Sequence, residues 1–420
     1  MTREMKDSGV EWIGEIPEEW ETKKIGSIFK QRNEKVSDLE YPPLSVTKNG
    51  IVPQLENAAK SSNHNDRKLV RAGDFVINSR SDRKMSSGIS EECGSVSLIN
   101  LVLHSRKMCG GYTNYVLKNV SFAEEFYKWG TGIVADLWST KWESMKKIVM
   151  PYPNIEEQKK ISKELDKKVA MINSVIGETK QSIIELKKYK QSLITETVTK
   201  GLDKNVEMKD SGVEWIGKIP KSWKLTKIKY CTLLDPPKYL HGELPENATF
   251  LPMQKIKNGY LIIDEVGFTK DLLKKYTYFS ENDIVIAKVR PSFENGNIAI
   301  AKKLRNGIGF GTSEIFVLRK KNEKINVEFL MYYLRNDNFI NLGSASMTGV
   351  AGLKRISSDF INNYYLTLPN IEKQTEIVKF LDEKTSKIDQ LIADKEQLIK
   401  EYESYKKSLI YEYVTGKKEV

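Results

Sequence analysis

Cysteine and histidine are nearly absent: the 420 residues hold three of each. Cys93, Cys109 and Cys231 are scattered and odd in number, which offers neither a disulfide framework nor a thiolate metal site. His64, His104 and His241 are too few and too dispersed for an imidazole cluster, so no metal site is expected. No apolar run approaches the roughly 18 residues a membrane span needs. Ser97–Leu103 is among the most apolar and ends at His104. The N-terminal segment Met1-Thr-Arg-Glu-Met-Lys-Asp lacks the apolar core of a signal peptide, and a cytoplasmic location is expected. Also missing are a Gly-x-x-x-x-Gly-Lys-Ser/Thr phosphate loop and a Gly-x-Ser-x-Gly nucleophile turn. With no visible machinery for hydrolysis or acyl transfer, a non-catalytic chain is expected.

What is present is a repeat, the first feature to seek in a chain of this length. Residues 5–20 read MKDSGVEWIGEIPEEW and residues 208–223 read MKDSGVEWIGKIPKSW. They differ only at Glu15/Lys218, Glu18/Lys221 and Glu19/Ser222. Farther on, Pro153-Asn-Ile-Glu-Glu-Gln158 recurs as Pro369-Asn-Ile-Glu-Lys-Gln374, and Tyr189-Lys-Gln-Ser-Leu-Ile194 recurs as Tyr405-Lys-Lys-Ser-Leu-Ile410. Between these frames lie two inserts, roughly 21–150 and 224–366, that resemble each other only faintly. Both carry a Lys-Asn-Gly turn, at 48–50 and 257–259. Both also carry an acid-headed apolar run ending in cations, Asp74-Phe-Val-Ile-Asn-Ser-Arg80 and Asp283-Ile-Val-Ile-Ala-Lys-Val-Arg290. Near-identical frames around divergent inserts point to one shared job for the frames and two different jobs for the inserts.

The segments after Pro153 and Pro369 read as long helices, because proline at the start needs no backbone donor. In a heptad frame the first places Ile161, Leu165, Ile172, Val175, Leu186, Tyr189 and Leu193 on one seam, with Lys168, Thr179 and Ser182 as breaks. The second places Ile377, Leu381, Ile388, Leu391, Leu398, Tyr405 and Leu409 likewise, broken by Lys384 and Lys395. A single helix cannot bury such a seam, so the two copies are expected to pack on each other, antiparallel. The inserts show short β-rich runs at Asp74–Asn78, Val96–Leu103, Tyr115–Leu117, Asp283–Val289, Ile298–Ala301 and Ile315–Leu318. A short helix follows in each, at Phe122–Trp129 and Val327–Leu334. The expected fold class is α+β. Residues 1–150 and 208–367 form two α+β domains, and 151–207 and 368–420 are two long antiparallel coiled-coil helices with pseudo-two-fold repetition.

The charge is uneven. Residues 208–367 hold 24 Lys/Arg against 16 Asp/Glu, whereas residues 1–150 hold 22 against 20. Clustered cations suit a nucleic-acid binder. Arginine pairs with guanine, asparagine with adenine, and Lys and Ser suit phosphate. On that chemistry the candidate DNA-binding residues are Arg80, Arg83 and Lys84 after the first acid-headed strand, and Lys288, Arg290 and Asn295 after the second. A weaker set, Thr47, Lys48, Gln254 and Lys255, lies beside the Lys-Asn-Gly turns. Ile161, Leu165, Ile172, Leu186, Leu193, Ile377, Leu381, Ile388, Leu398 and Leu409 are the candidate helix-packing residues. Trp12, Trp20, Trp215 and Trp223, in the repeated frames, suit packing better than base stacking.

Two rival classes remain. A coiled-coil scaffold or non-specific nucleic-acid adaptor would need no base readout. A stand-alone adenine methyltransferase would use Asp235-Pro-Pro-Lys238, which has the outline of an Asn/Asp-Pro-Pro-aromatic motif but carries Lys238 in the aromatic position, with Tyr239 one place late.

The two Gly-Val-Glu-Trp-Ile-Gly-x-Ile-Pro-x-x-Trp blocks (9–20 and 212–223) and the Pro-Asn-Ile-Glu-x-Gln helix entries give the chain a further character. In these it resembles the specificity subunits of type I restriction–modification enzymes, essentially from end to end. The resemblance implies two target recognition domains, each reading half of a split, asymmetric DNA site, spaced by an antiparallel helix pair. It implies as partners double-stranded DNA, two modification (methyltransferase) subunits and restriction (translocase and nuclease) subunits. No cofactor is implied in this chain; S-adenosylmethionine, ATP and Mg2+ would belong to the partners. The family's base-reading positions vary between members, so the candidates above rest on residue chemistry alone.

Overall fold

A computed structural model describes residues 3–56, 64–132, 138–238, 243–349 and 354–420. The chain divides into two compact units, one of residues 1–180 and 395–420 and the other of residues 181–394. These units cut across the expected domain limits, since each takes one insert and a half of each long helix.

In the first unit the repeated block forms a hairpin, Met5–Asp7 against Glu15–Pro17. Its insert holds a four-stranded antiparallel sheet of β1 (Lys30–Gln31), β2 (Phe75–Asn78), β3 (Ser87–Ile89) and β4 (Asn100–His104), in spatial order β3-β2-β4-β1. The apolar run of β2 is buried along its whole length, as expected for a central strand covered on both faces. Two short helices follow, α1 (Gly110–Val116) and α2 (Val120–Lys128), and then the long helix α3 (Ile155–Lys200). The run Tyr115–Leu117, expected as a strand, is the end of α1. Its β-favouring residues are overridden by burial, with Tyr112 and Val116 fully buried in the unit's core.

The second unit repeats the plan. Its block pairs Met208–Asp210 with Lys218–Pro220. One of the two four-stranded sheets of its insert comprises β5 (Thr232–Leu234), β6 (Ile284–Ala287), β7 (Ile298–Ile300) and β8 (Ile315–Lys320), in spatial order β7-β6-β8-β5. That is the same third-second-fourth-first order. Helices α4 (Val327–Leu334), α5 (Asp337–Ala345) and the long α6 (Ile371–Val414) follow. Each insert thus has a consecutive pair of short helices after its sheet where one was expected, and further short helical turns elsewhere, among them Trp142–Met145 and Thr269–Lys275. The acid heading each central strand has the same task in both copies. Asp74 ion-pairs with Arg32 at 2.7 Å and accepts from the Arg71 amide, while Asp283 ion-pairs with Arg319 at 2.6 Å and accepts from the Ser280 amide. Both carboxylates are buried, so each pair fixes the turn that starts the strand.

The long helices run antiparallel within each unit. In the first, Trp20 donates to Glu157 at the start of α3 and also lies against Gly416, just past the end of α6. In the second, Thr367, just before α6, donates to the Val198 carbonyl near the end of α3. The buried stripe does not follow a heptad. Ile161, Ile172, Ile183 and Ile194 recur every eleven residues on α3, with Leu165, Ile176 and Val198 beside them. On α6 the matching series is Ile377, Ile388, Ile399 and Ile410, the last two half-buried, flanked by the buried Leu381, Ile392 and Val414. Eleven residues per three turns is 3.67 per turn, close to an unstrained α-helix. The heptad seam holds where Ile161, Leu165, Ile377, Leu381 and Leu409 are fully buried and is interrupted between them: Val175, Tyr189, Leu391, Leu398 and Tyr405 are exposed, Leu186 and Leu193 are half-buried, and Thr179 is buried in the stripe rather than breaking it.

The Pro-Asn-Ile-Glu-x-Gln entries are locks. Asn154 and Asn370 cap their helices by accepting from the Glu157 and Lys373 amides. Gln158 is fully buried, donates to the Pro153 carbonyl and accepts from the Cys109 amide at the head of α1. Gln374 donates to the Pro369 and Lys324 carbonyls and accepts from the Asn326 amide at the head of α4. Next along, Tyr115 donates to Asp166 and Tyr332 to Asp382. The repeated motif therefore fastens each insert to its own long helix.

Candidate nucleic-acid interface

In the first insert the chain leaves β2 into an exposed loop. Arg80, Arg83 and Lys84 are all exposed. The loop is held from below: the Asn78 carboxamide accepts from the Arg80 amide, and the Tyr127 hydroxyl donates to the Asn78 carbonyl at 3.1 Å. Ser139 bridges both Arg80 and Thr131, which brings a second loop alongside. Residues 133–137 of that loop lie outside the described residues. Next to it is an open cleft of about 450 Å³ lined by Lys68, Arg80, Lys141 and Trp142, with Leu98 and Ile99 on one side. Burial lowers the Lys68 pKa, and its ammonium donates to the Asn100 carbonyl. Lys68, Lys141 and Trp142 escaped sequence reasoning because Lys68 and the adjacent pair Lys141-Trp142 lie on segments far apart in the chain. The Thr47 hydroxyl closes the Lys-Asn-Gly hairpin by donating to the Gly50 carbonyl, which leaves Lys48 exposed at the tip.

The second insert repeats the framework but not the surface. Val289 and Thr348 both bridge Arg355, as Arg80 and Thr131 bridge Ser139. Here the cations lie beside acids, as Arg83 of the first insert does beside Asp82 at 3.5 Å, although Arg290 and Arg355 are exposed. Lys288 is half-buried over the Phe316 ring, 3.9 Å from Asp235, and burial lowers its pKa. Arg290 pairs with Glu294 at 2.9 Å, and Arg355 with Glu314 at 2.7 Å. Lys255 is clamped by both Asp264 and Glu265, so it is not a free surface cation. Gln254 and Asn295 are exposed, and the Asn295 carbonyl accepts from Asn258 at 3.2 Å. The Asp-Pro-Pro segment has a structural role: Asp235 accepts from the Val317 amide and donates its own amide to the Val317 carbonyl. Burial raises the Asp235 pKa. Tyr239 lies outside the described residues.

The aromatics of the repeated blocks pack. Trp20 is buried and Trp12 donates to the Val149 carbonyl, while Trp215 stacks on Tyr364 at 4.9 Å.

Comparison with known proteins agrees with this architecture. The family model for the type I restriction modification DNA specificity domain matches residues 233–401. A specificity subunit of a type I restriction enzyme, MjaVIII of Methanocaldococcus jannaschii, is 28% identical over 404 residues, 89% of this chain and 87% of the relative. Over most of its length the chain is similar to a type I restriction enzyme specificity subunit. The EcoAI specificity subunit of Escherichia coli is 34% identical over 162 residues, 38% of this chain. That match spans only about a quarter of the Escherichia coli protein, 27% of its length. Among solved structures, a chain from work on complex assembly and conformational transition of the type I R-M system matches with a TM-score of 0.73 at 12% identity, over 95% of this chain and 98% of that one. The HsdS subunit from Thermoanaerobacter tengcongensis matches with a TM-score of 0.56 at 14% identity, over 96% of this chain and 98% of that one. These likenesses extend the agreement to the fold. Among the described residues no helix is long and apolar enough to cross a membrane.

Proposed function

We propose that this chain is the DNA-recognition subunit of a type I restriction–modification complex, in which each insert reads one half of a bipartite, asymmetric site. The observation that carries the reading is the pairing of one scaffold with two unlike surfaces. Each insert holds a four-stranded sheet of the same strand order and the two share a loop framework, yet the exposed cations are Arg80, Arg83 and Lys84 in one, of which Arg83 meets Asp82 at 3.5 Å, and Arg290 and Arg355 in the other, both paired with carboxylates, beside the half-buried Lys288 near Asp235. Identical scaffolds with identical surfaces would read a palindrome; unlike surfaces read unlike half-sites. The repeated frames and long helices are assigned to spacing the readers and docking two modification subunits. Catalysis belongs to those partners: S-adenosylmethionine and adenine flipping to the modification subunits, ATP and Mg2+ to the restriction subunits. Asp235, bonded to the Val317 backbone, is assigned to the fold and not to methyl transfer.

Methylation mapping of DNA from cells carrying the chain with its modification partner tests the reading. It predicts one motif with two different halves around a spacer of fixed length. A palindromic motif, or methylation without sequence preference, would overturn it, and the latter would favour a non-specific adaptor.

A further inference from the structure

Each insert carries a half-buried cation that forms no ion pair among the described residues, and the two occupy matching places. Lys118 and Arg335 lie nine residues after the helix N-caps Cys109 and Asn326, at the far ends of α1 and α4. Burial lowers the pKa of both. Among the described residues neither forms an ion pair with a carboxylate, and Arg335 feels Asp389 only at a distance. A desolvated cation without a counter-charge is costly unless an anion completes the site.

Both face the Lys-Asn-Gly turn of their own insert. Lys118 lines an open cleft of about 410 Å³ with Asn49, Gly50, Gly88, Gly110 and Gly111, and Glu91 is the one carboxylate lining it. The glycines leave main chain bare: a Cβ on Gly88 would stand 3.1 Å from the Gly50 Cα. In the other insert the Arg335 Nε donates to the Asn258 carboxamide oxygen at 2.9 Å, and the rest of its fork lies over Gly259. A Cβ on Gly259 would come within 3.0 Å of Nη1 and 3.1 Å of Nη2. Asn258 in turn donates to the Asn295 carbonyl, which ties the turn to the loop after β6. Lys48 and Lys257 precede the two asparagines, adding positive charge.

The loops around these sites differ between the inserts, while the cation and its turn are kept in both. Base-reading contacts must differ between unlike half-sites, whereas backbone contacts need not. Resting on the DNA-recognition reading above, we propose that Lys118 and Arg335 are equivalent phosphate clamps, each taking one backbone phosphodiester of the half-site read by its own insert.

The test uses the full chain assembled with its modification partner and a duplex bearing the mapped motif, with affinity measured from 50 to 200 mM salt. Loss of one phosphate contact lowers the slope of log K against log[salt] by about 0.9. Lys118→Gln and Arg335→Gln should each lower it by that amount and leave the methylated motif unchanged, while Lys118→Arg keeps the slope. Because burial lowers the Lys118 pKa, wild-type affinity should begin to fall at a lower alkaline pH than that of Lys118→Arg. Arg335→Lys removes the Nε bond to Asn258 but keeps the charge. A retained slope in that variant supports a charge contact, and a slope as low as that of Arg335→Gln assigns Arg335 to holding the turn and overturns the clamp. An unchanged slope in both glutamine variants also overturns the proposal. So does a changed motif, which would mean base reading, or lost association with the modification subunit at an unchanged slope, which would mean a protein carboxylate as the anion. A wild-type complex with no sequence preference overturns the DNA-recognition reading instead, and the slope still decides the clamps.

Discussion

Leu381 and Leu398 fall on the same heptad seam of α6, but the folded helix treats them differently. Leu381 is fully buried, packed with Ile377, Val378, Ile194 and Val198 in the core of the second unit. Leu398 is 39% exposed, because the stripe passes through Ile399 instead. Truncating a fully buried leucine to alanine removes its transfer free energy and leaves a cavity, together about 3–5 kcal/mol. An exposed site away from caps and networks loses no more than about 0.5 kcal/mol. For units of this size 1 kcal/mol moves the midpoint by about 2–4 °C, so Leu381→Ala should lower the Tm of its transition by roughly 6–20 °C. Leu398→Ala should move it by no more than about 2 °C. Thermal unfolding of the full chain, followed by circular dichroism, gives both values. Equal losses in the two variants would mean that the helices pair through the heptad seam, and the eleven-residue stripe would be wrong.

Gln374→Leu strips two carbonyls and one amide of their buried partners and should cost about 2–5 kcal/mol in the same assay; a neutral result would show that the repeated glutamine does not lock the insert to α6. The Arg355 guanidinium holds the Glu314 carboxyl below its ordinary pKa of 4.5. That stabilisation is fully present above pH 4.5 and is lost as pH falls through the depressed value. The small acid destabilisation should be weaker in Glu314→Gln when melts are compared between pH 6 and pH 3; identical profiles would contradict the pairing. Inserting eleven residues at matched points of α3 and α6 keeps the stripe in phase and lengthens each helix by roughly 16 Å. The methylated motif should then gain spacer while both half-sites stay the same, and a folded variant with an unaltered spacer would show that the helices do not set it.

Much of the architecture could be read from the sequence because the chain was written twice. The repeated blocks and the paired helix entries made the constant–variable alternation visible without any structure, and Asp74 and Asp283 marked the central strand of each insert sheet. The stripe period was harder. Ile161, Leu165 and Ile172 satisfy 3.5 and 3.67 residues per turn equally well, and apolar neighbours such as Val175 beside Ile176 leave the choice open until the partner helix makes it. Helix α1 hid behind the β-favouring run Tyr115-Val-Leu117, whose state is decided by packing in the core and not by local preference. The surface was the least legible. Lys255, Lys288 and Arg290 read as free cations, but Asp264 and Asp235 are set against the first two only by the fold, and Glu294, four residues after Arg290, pairs with it once the loop between them is folded. Lys118 and Arg335 carry no local signal at all; they stand out once the two copies are superposed in sequence and both prove desolvated.

Exchanging residues 21–150 for the insert of another specificity subunit, followed by methylation mapping of the cell's DNA, tests the division of labour most directly. The account predicts a motif in which one half is replaced while the other half and the spacer persist. A change in both halves, or in neither, would contradict the assignment of one reader to each insert.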